Sequence, residues 1–439
     1  MLKKNKIELL SPAGNLEKMK IALAFGADAV YAGIPDFSLR VRINDFDLEK
    51  LKEATEYCHG LNKKIYITLN IFAHNRHIEK VAPYVKFLKK IKVDGLIIAD
   101  PGVMAEVKKV WPEAEIHLST QANCTNWRSA KFWFEAGVSR VVLGRETTLD
   151  EIKEIKRRVP KLELEYFAHG AMCMAYSGRC FLSKYFNDRS GNLGDCTQPC
   201  RWKYNKHSTV NTQYAISTEN RFFVSEEKRP EMPLEIVEEE HGSYILNSKD
   251  LCLIEYLDKL IEAGVMSLKI EGRAKSVYYQ AMVAGIYRRA LDSNLNKEKN
   301  QKKQVKYLKT ELETKLVHRG YTTGFLLEGK ADQELAQTHQ VCDWEYCGSS
   351  FAEVAESKPL GGKRNLLKIK VHNSLKVGDE VEIVSPNYVV KNFCLKKMYD
   401  IKTGEPITEA HGGQEKMVLI EVEGVVGEWA VLRRRLIET

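Results

Sequence analysis

The chain has 439 residues, of which 44% are hydrophobic and 29% are charged, a composition that supports a buried core and excludes global disorder. Its formal net charge of +8 at pH 7 is compatible with an anionic partner such as RNA, but many proteins that bind no nucleic acid are as basic. The sequence contains no apolar run of roughly 18 residues, so no membrane span is expected.

The N-terminal segment, MLKKNKIELLSPAG, predicts a first strand and not a signal peptide. It begins with lysines, but its apolar stretch is short and ends at Ser11-Pro12. A cytosolic location is therefore expected. Because cytosolic thiols stay reduced, the ten cysteines of the chain indicate metal or redox chemistry before disulfides.

The first 170 residues repeat one pattern, in which a short apolar run is followed by a longer segment with helical spacing. Residues 15–27 and 148–160 are two such helical segments. Asn15 and Thr148 are predicted N-caps, and Glu151 completes a capping box with Thr148. The predicted strands are residues 7–10, 29–32, 64–69, 95–99, 116–119, 140–143 and 163–167.

An eighth strand is predicted at residues 266–270, followed by a helix at 275–292. Eight alternating β-α units predict an α/β protein with a closed (β/α)₈, TIM-like barrel over residues 1–294. An open doubly wound sheet is the alternative. Its phosphate-binding signature, G-x-G-x-x-G after the first strand, is absent from this sequence.

The long connection between strands seven and eight predicts an insertion at residues 171–262, which carries a cysteine cluster and an acidic segment at 226–242. Residues 295–334 are predicted as a linker and a connecting helix. The lysine-rich run 295–305 in this segment favours a solvated connector over an RNA-contacting arm. From residue 335 to 439 the pattern changes to period-two alternation, which predicts a small antiparallel β-barrel domain. The sequence does not reveal what this domain does.

Polar residues follow most of the predicted barrel strands. Active sites of such barrels lie at the carboxyl ends of the strands, so these residues predict a shared pocket. Arginines there suit an anionic ligand, such as a carboxylate or phosphate. The structural alternative is that Arg145 pairs with Glu271 and only holds the barrel together. The residues predicted to line the pocket are Gln121, Arg145, His169, Glu271 and Arg273.

Four cysteines after strand seven have the spacing C-x6-C-x15-C-x3-C. Thiolates bind zinc or iron–sulfur centres, and this irregular spacing favours a [4Fe–4S] cluster over a paired zinc knuckle. Zinc and unligated thiols remain open. The predicted ligands are Cys173, Cys180, Cys196 and Cys200, with Cys252, on a predicted helical segment, as an alternative to Cys200.

Several long motifs resemble the peptidase U32 family over nearly the whole chain. They are EYFAHGAMCMAYSGRCFLS (165–183), LLSPAG (9–14), DAVYAG (28–33), STQAN (119–123), SLKIEGR (267–273) and HRGYTTG (318–324). The resemblance is strongest to the branch that modifies tRNA. It implies prephenate-dependent 5-hydroxylation of the wobble uridine, with an iron–sulfur cluster on the four cysteines. Sister branches act on a ribosomal RNA cytidine or in ubiquinone synthesis.

This resemblance leads to a hypothesis about the mechanism and its partners. Arg145 and Arg273 hold the carboxylates of a small anionic metabolite, the target base enters unstacked, and basic patches with the C-terminal domain grip the tRNA anticodon arm. No catalytic base is identified.

Two other functions stay open: a peptidase, as the family name implies, and a non-catalytic RNA-binding or assembly protein with a structural metal site. The sequence lacks H-E-x-x-H and G-x-S-x-G. Cys173 and His169 are close in the chain, but this does not establish a nucleophile and its base.

Overall fold

Seven strands, each of the first six followed by a helix, open the chain in the computed structural model, which describes residues 7–35, 37–38, 45–173, 175–176, 179–202, 204–207, 221–226, 229–237, 248–327, 342–350, 366–413, 416–422 and 429–436. The strands are β1 (Glu8–Pro12), β2 (Ala29–Gly33), β3 (Lys64–Leu69), β4 (Gly95–Ile98), β5 (Ile116–Leu118), β6 (Arg140–Val142) and β7 (Glu163–Ala171). The helices after the first six strands are α1 (Leu16–Ala24), α2 (Leu48–Gly60), α3 (Asn75–Ile91), α4 (Pro101–Val110), α5 (Trp127–Glu135) and α6 (Leu149–Arg158).

The predicted helix caps are present. The Asn15 side chain accepts a hydrogen bond from the Lys18 backbone N–H at 2.9 Å, which starts α1. Thr148 and Glu151 form the predicted capping box at the start of α6, where the Thr148 N–H donates to the Glu151 carboxylate at 2.7 Å. Local sequence therefore determines where these helices begin.

The segment after β7 contains a helix, α7 (Leu182–Asn187), and a three-stranded antiparallel sheet of β8 (Tyr204–His207), β9 (Arg221–Glu226) and β10 (Arg229–Val237). It ends in β11 (Asp250–Cys252), which pairs antiparallel with the last residues of β7. The helical prediction at Cys252 is wrong, because this residue closes strand β11, opposite His169. Helix α8 (Leu257–Glu262) follows.

The barrel closes through β12 (Val265–Ile270), which pairs in parallel with both β7 and β1. The predicted (β/α)₈ barrel is thus confirmed, and the open sheet is excluded. Helix α9 (Val277–Leu295) follows β12, and α10 (Gln301–Lys315) begins inside the lysine-rich segment that was predicted to be a solvated linker up to residue 305. A short strand, β13 (Tyr321–Thr322), pairs with β11. None of the described helices has the length and hydropathy of a membrane span.

The described C-terminal residues are antiparallel β structure, as predicted. The strands are β14 (Trp344–Ser350), β15 (Leu366–Val371), β16 (Ser374–Lys376), β17 (Glu380–Ser385), β18 (Val389–Cys394), β19 (Met398–Asp400), β20 (Pro406–Ile407), β21 (Glu409–His411), β22 (Met417–Glu421) and β23 (Ala430–Arg435). Eight of them form one sheet in the order β18-β17-β23-β14-β15-β22-β19-β20, and β16 pairs with β21. The predicted domain start at 335 lies outside the described residues.

One buried arginine joins this sheet to the barrel side of the molecule. The Arg433 side chain on β23 is fully buried, and its guanidinium contacts Glu311 of α10 at 2.7 Å and Glu382 of β17 at 2.6 Å. Two carboxylates compensate the cost of burying this charge, so the contact fixes the sheet against α10.

Candidate active site

A cavity of about 230 Å³ lies at the carboxyl ends of the barrel strands, where barrel enzymes place their active sites. Its wall combines two sets of residues. The barrel strands and the loops after them contribute polar groups: Tyr31, Thr68, Asn70, Ser119, Gln121, Arg145, Lys269, Glu271 and Arg273. The segment after β7 contributes four cysteines: Cys173, Cys180, Cys196 and Cys200. The fold thus brings four of the five predicted pocket residues together with all four predicted ligands.

Gln121 presents an unused hydrogen-bond donor. It lies in the single turn of 3₁₀ helix after β5, and its Oε1 accepts from the Ser119 hydroxyl at 3.3 Å. Asn70 donates to the same hydroxyl at 3.2 Å, so the Gln121 oxygen faces a fixed partner. Its Nε2 is buried with no hydrogen-bond partner among the described residues. Such a group is stabilised when a ligand supplies an acceptor.

The two predicted arginines differ in how they are held. The Arg145 guanidinium lies 4.0 Å from the Phe167 ring centroid, and no ion pair joins it to a carboxylate in the described part of the chain. The alternative pairing of Arg145 with Glu271 is therefore not formed. Arg273 donates from Nη1 to the Ser38 hydroxyl at 2.6 Å. Arg145 thus keeps its donors available to a ligand, while Arg273 is positioned by the protein.

Two glycines let Arg273 sit where it does. A Cβ atom on Gly14 would lie 2.3 Å from the backbone oxygen of Arg273, and one on Gly33 would lie 2.3 Å from the Ser38 hydroxyl. Real side chains do not tolerate such contacts. The motifs LLSPAG and DAVYAG therefore contribute room for the loop after β12.

Glu271 is held by Tyr31, a residue that the sequence prediction did not select. The Tyr31 hydroxyl lies 3.1 Å from the Glu271 carboxylate and 3.0 Å from the Ile270 carbonyl oxygen. Burial raises the pKa of Tyr31 well above its usual value, and the charge of Glu271 raises it further. Tyr31 therefore stays a neutral phenol and orients the carboxylate in the cavity wall.

Lys269 is a second cavity residue that the prediction missed. It is buried, its ammonium contacts Glu165 at 2.8 Å, and it lies 4.3 Å from the Tyr31 ring centroid. Burial lowers the pKa of Lys269, against the opposing effect of Glu165. A signal was present in the sequence: Ser267 and Lys269 alternate along β12 and Glu271 continues the alternation directly after it, so all three share the inner face.

His169 does not line the cavity, which corrects its predicted role. Phe167 pairs with Lys269 and His169 with Ile270, so β7 carries one extra residue at this point. This bulge reverses the alternation of side chains, and the His169 ring packs outside the barrel. Its neighbours are Tyr279, Tyr287 and Tyr321 at centroid distances of 6.0, 5.4 and 5.4 Å. Burial there lowers the pKa of His169 to about 3.

The cysteines share the cavity wall without forming a ligand set. Burial raises the pKa of Cys180, and its neighbours Cys196 and Cys173 raise it further. The Cys196 sulfur accepts a hydrogen bond from the Gln198 backbone N–H at 3.3 Å, a bond of the kind that stabilises thiolate ligands. Among the described residues, no three Cys, His, Asp or Glu side chains converge as a metal site. The donor chemistry of the four cysteines in one cavity wall fits a metal or cluster.

Cys252 lies elsewhere. It is buried on β11, and its sulfur is 3.8 Å from the Tyr287 hydroxyl. Burial raises the pKa of its thiol to about 11. It is not among the residues that line the cavity. The structure thus gives Cys252 a packing environment beside His169, away from the other four cysteines.

The fold and site together define a class: a (β/α)₈-barrel protein whose strand-end cavity combines cationic, acidic and thiol side chains. The family model described as Peptidase family U32 matches residues 14–336, and that of the Peptidase family U32 C-terminal domain matches residues 349–433. The chain belongs to peptidase family U32.

Relatives of this chain are named for RNA modification. It is 38% identical to tRNA hydroxylation protein P of Haemophilus influenzae, over 99% of this chain and 97% of that protein. It is 40% identical to tRNA hydroxylation protein P of Escherichia coli, over 93% and 92% of the two chains. It is 33% identical to the 23S rRNA 5-hydroxycytidine C2501 synthase of Escherichia coli, over 75% of this chain and 46% of that enzyme.

Proposed function

We propose that this protein is an RNA-modifying enzyme that hydroxylates a pyrimidine of tRNA, namely C5 of the wobble uridine. The observation that carries the proposal is one cavity lined by Arg145, Arg273, Lys269, Glu271 and four cysteines. The names of relatives that match nearly the full length support the substrate class. A cytosolic location is part of the same proposal, since it is where tRNA is modified.

The cavity residues are suited to a base and a small anion at once. A base inside a folded RNA is reached only after it leaves its stack. We assign the Nε2 donor of Gln121, which has no partner among the described residues, to a carbonyl oxygen of a uracil ring. Arg145 offers a guanidinium without a carboxylate partner in the described structure, which suits a carboxylate of the second ligand. Tyr31 keeps Glu271 oriented beside them.

The small anion in this proposal is prephenate, a dicarboxylate. Three cationic side chains in the wall, Arg145, Lys269 and Arg273, face one acidic group, Glu271. Because Glu165 compensates the charge of Lys269, we assign Arg145 and Arg273 to the two carboxylates. Purified protein should bind prephenate in calorimetric titrations, and Arg145→Ala should weaken that binding. Equal binding by the variant would remove the assigned role of Arg145.

The cofactor in this proposal is a [4Fe–4S] cluster on Cys173, Cys180, Cys196 and Cys200. The cluster would supply electron transfer beside the substrate cavity. Protein purified without oxygen should show a broad band near ~400 nm with about four irons, and Cys173→Ala should lose both. Colourless protein that contains one zinc would replace the cluster with a structural metal site.

Nucleoside analysis tests the central proposal. Cells that lack the gene should lose the hydroxylated nucleoside from tRNA, and the wild-type gene should restore it. Arg145→Ala should restore it poorly, whereas Arg158→Ala, a change on the exposed face of α6, should restore it fully. If deletion of the gene leaves every tRNA nucleoside unchanged, the proposed substrate is wrong.

A peptidase is the second candidate, because the family carries that name. A cysteine peptidase needs a histidine beside its nucleophile. The cavity wall contains four cysteines, but none of its described residues is a histidine, since His169 is turned away. Cleavage of casein or gelatin by the purified protein, abolished by Cys173→Ala, would favour this candidate. A purely non-catalytic scaffold has no need of the polar groups in the cavity.

A further inference from the structure

Exposed aromatic side chains are concentrated beside the cavity. Tyr176, Phe181 and Tyr185 are 54%, 72% and 67% exposed, and all three lie in the short stretch between β7 and the end of α7. Single exposed apolar residues are normal on protein surfaces. Three exposed aromatic rings in one short segment at the rim of a cavity exceed such single exposures, which points to binding.

The geometry of α7 makes two of these rings neighbours. Phe181 and Tyr185 are four residues apart, and the Tyr185 backbone N–H donates to the Phe181 carbonyl at 2.8 Å. Residues at this spacing share one face of a helix. The next residue, Phe186, is buried against Trp202 at a centroid distance of 5.7 Å, and the Tyr185 ring packs edge-to-face against Phe186 at 5.3 Å. The inner face thus anchors the helix, and the outer face presents rings to solvent.

The aromatic surface is continuous with the cavity. Tyr176, Cys180 and Leu182 line the cavity wall, and they lie within or next to the stretch that carries the exposed rings. A chain that delivers one residue into the cavity must lay its adjacent residues over this rim.

The surface also carries positive charge. Arg179 and Lys184 are exposed between the aromatic residues. The Arg179 guanidinium lies 5.9 Å from the Phe72 ring, which holds it beside the loop after β3. Lys184 pairs with Asp188 on the surface, a contact that contributes little and is easily exchanged for another anion. Aromatic rings interleaved with cations are typical of single-stranded nucleic-acid sites.

We propose that Tyr176, Phe181 and Tyr185 form a stacking platform for the unpaired nucleotides that flank the target base, with Arg179 and Lys184 contacting their phosphates. This inference rests on the proposed function and goes beyond it, because it assigns the RNA-binding surface to the cysteine-bearing segment. Any base presents a π face, so the platform supports binding without reading sequence. Sequence selection then falls to the cavity itself.

Binding of an anticodon stem-loop RNA to the full-length protein tests the platform. In fluorescence anisotropy, the double variant Phe181→Ala and Tyr185→Ala should bind roughly tenfold to a hundredfold more weakly than the wild type. The pair Phe181→Leu and Tyr185→Leu should show a similar loss, since it keeps apolar surface and removes the rings. Phe181→Tyr with Tyr185→Phe should retain binding. Phe132→Ala, a 63% exposed ring on α5, is the matched control and should have no effect.

A second RNA separates stacking from general charge attraction. A fully paired duplex of the same stem should bind equally to the wild type and to the alanine pair, because its bases are not free to stack. Thermal melting verifies that each variant is folded. Tyr176→Ala alone gives an independent measurement if the alanine pair unfolds, and we expect it to weaken loop binding severalfold.

Each outcome has a distinct meaning. If the alanine and leucine pairs bind the loop RNA as tightly as the wild type, the platform is overturned and the proposed function stays intact. No binding of any tRNA stem-loop by the wild type, together with unchanged tRNA nucleosides after gene deletion, overturns the proposed function itself. If the wild type is a dimer and the alanine pair is a monomer with unchanged RNA binding, the rings contact a second copy of the chain. That result overturns the platform.

Discussion

The charged groups inside the barrel are paired differently in its two halves. The lower half is the one towards the amino ends of the strands, and the upper half is the one towards their carboxyl ends, where the cavity lies. In the lower half, Arg140 contacts Glu8, Glu163 and Glu165, and Glu165 also contacts Lys269 at 2.8 Å. In the upper half, Arg145 has no carboxylate partner in the described structure, and the Gln121 amide has an unused donor. Paired charges below indicate a structural role, and available donors above indicate a ligand.

The pKa shifts follow the same division. Burial opposes ionisation of Glu165, but the charges of Lys269 and Arg140 lower its pKa to about 2. The lower layer therefore stays ionised at neutral pH because each charge is matched. Lys269 belongs to both halves, since it pairs with Glu165 below and lines the cavity above.

The largest expected effect is on stability in the lower half. Glu165→Gln should reduce the free energy of unfolding by about 3–5 kcal/mol, because it leaves the Lys269 charge buried without its carboxylate. Guanidinium denaturation at pH 7 measures it. Glu154→Gln, which removes an exposed pair on α6, is the control and should leave the free energy of unfolding nearly unchanged, because solvent screens exposed pairs. A loss below about 1 kcal/mol for Glu165→Gln would contradict the division between the halves.

The next effect is on activity in the upper half. Arg145→Ala should slow tRNA hydroxylation about 100-fold, equivalent to about 2.7 kcal/mol, while changing stability by less than about 1 kcal/mol. Single-turnover assays and denaturation of the same preparation give both numbers. Arg145→Lys should recover only part of the rate, because ammonium lacks the planar pair of donors. A variant that is destabilised as strongly as Glu165→Gln would place Arg145 with the structural charges.

His169 gives a pH-dependent test outside the barrel. Its pKa is about 3 in the folded chain and about 6.5 in the unfolded chain, so between these values only the unfolded chain takes up the proton. Stability is therefore lost as the pH falls from about 6.5 towards 3. His169→Gln should lessen this loss by up to about 1.4 kcal/mol per pH unit. Denaturation at roughly pH 7, 6, 5 and 4 gives the slope of stability against pH for the wild type and the variant. Equal slopes would mean that the His169 ring is exposed to water.

The smallest effect separates stability from function at a single position. Gln121→Met removes a buried donor that has no partner but also the acceptor of the Ser119 hydroxyl, so the two effects oppose each other and the free energy of unfolding should change by less than about 1 kcal/mol. The same change should lower the hydroxylation rate about tenfold, because the base loses a hydrogen bond. Loss of stability with unchanged activity would mean that the Gln121 amide serves packing alone.

Much of the fold could be predicted because its signals are local. Asn15 and the Thr148–Glu151 pair cap helices through bonds within three residues, and short apolar runs mark each barrel strand. Strand-end polar residues were also predictable, since parallel strands end at one rim. Gln121, Arg145, Glu271 and Arg273 therefore meet in the cavity as the spacing of the sequence suggested.

The tertiary structure decided the features that depend on pairing between distant segments. Closure of the barrel needs β12 to lie between β7 and β1, and the extra residue opposite Lys269 and Ile270 turns His169 outward. Cys252 joined a strand because the end of β7 offered it an edge. The register of a strand, and therefore the side to which each of its residues points, depends on the strand with which it pairs. Sequence periodicity could single out His169 and Cys252 but could not decide which way their side chains face.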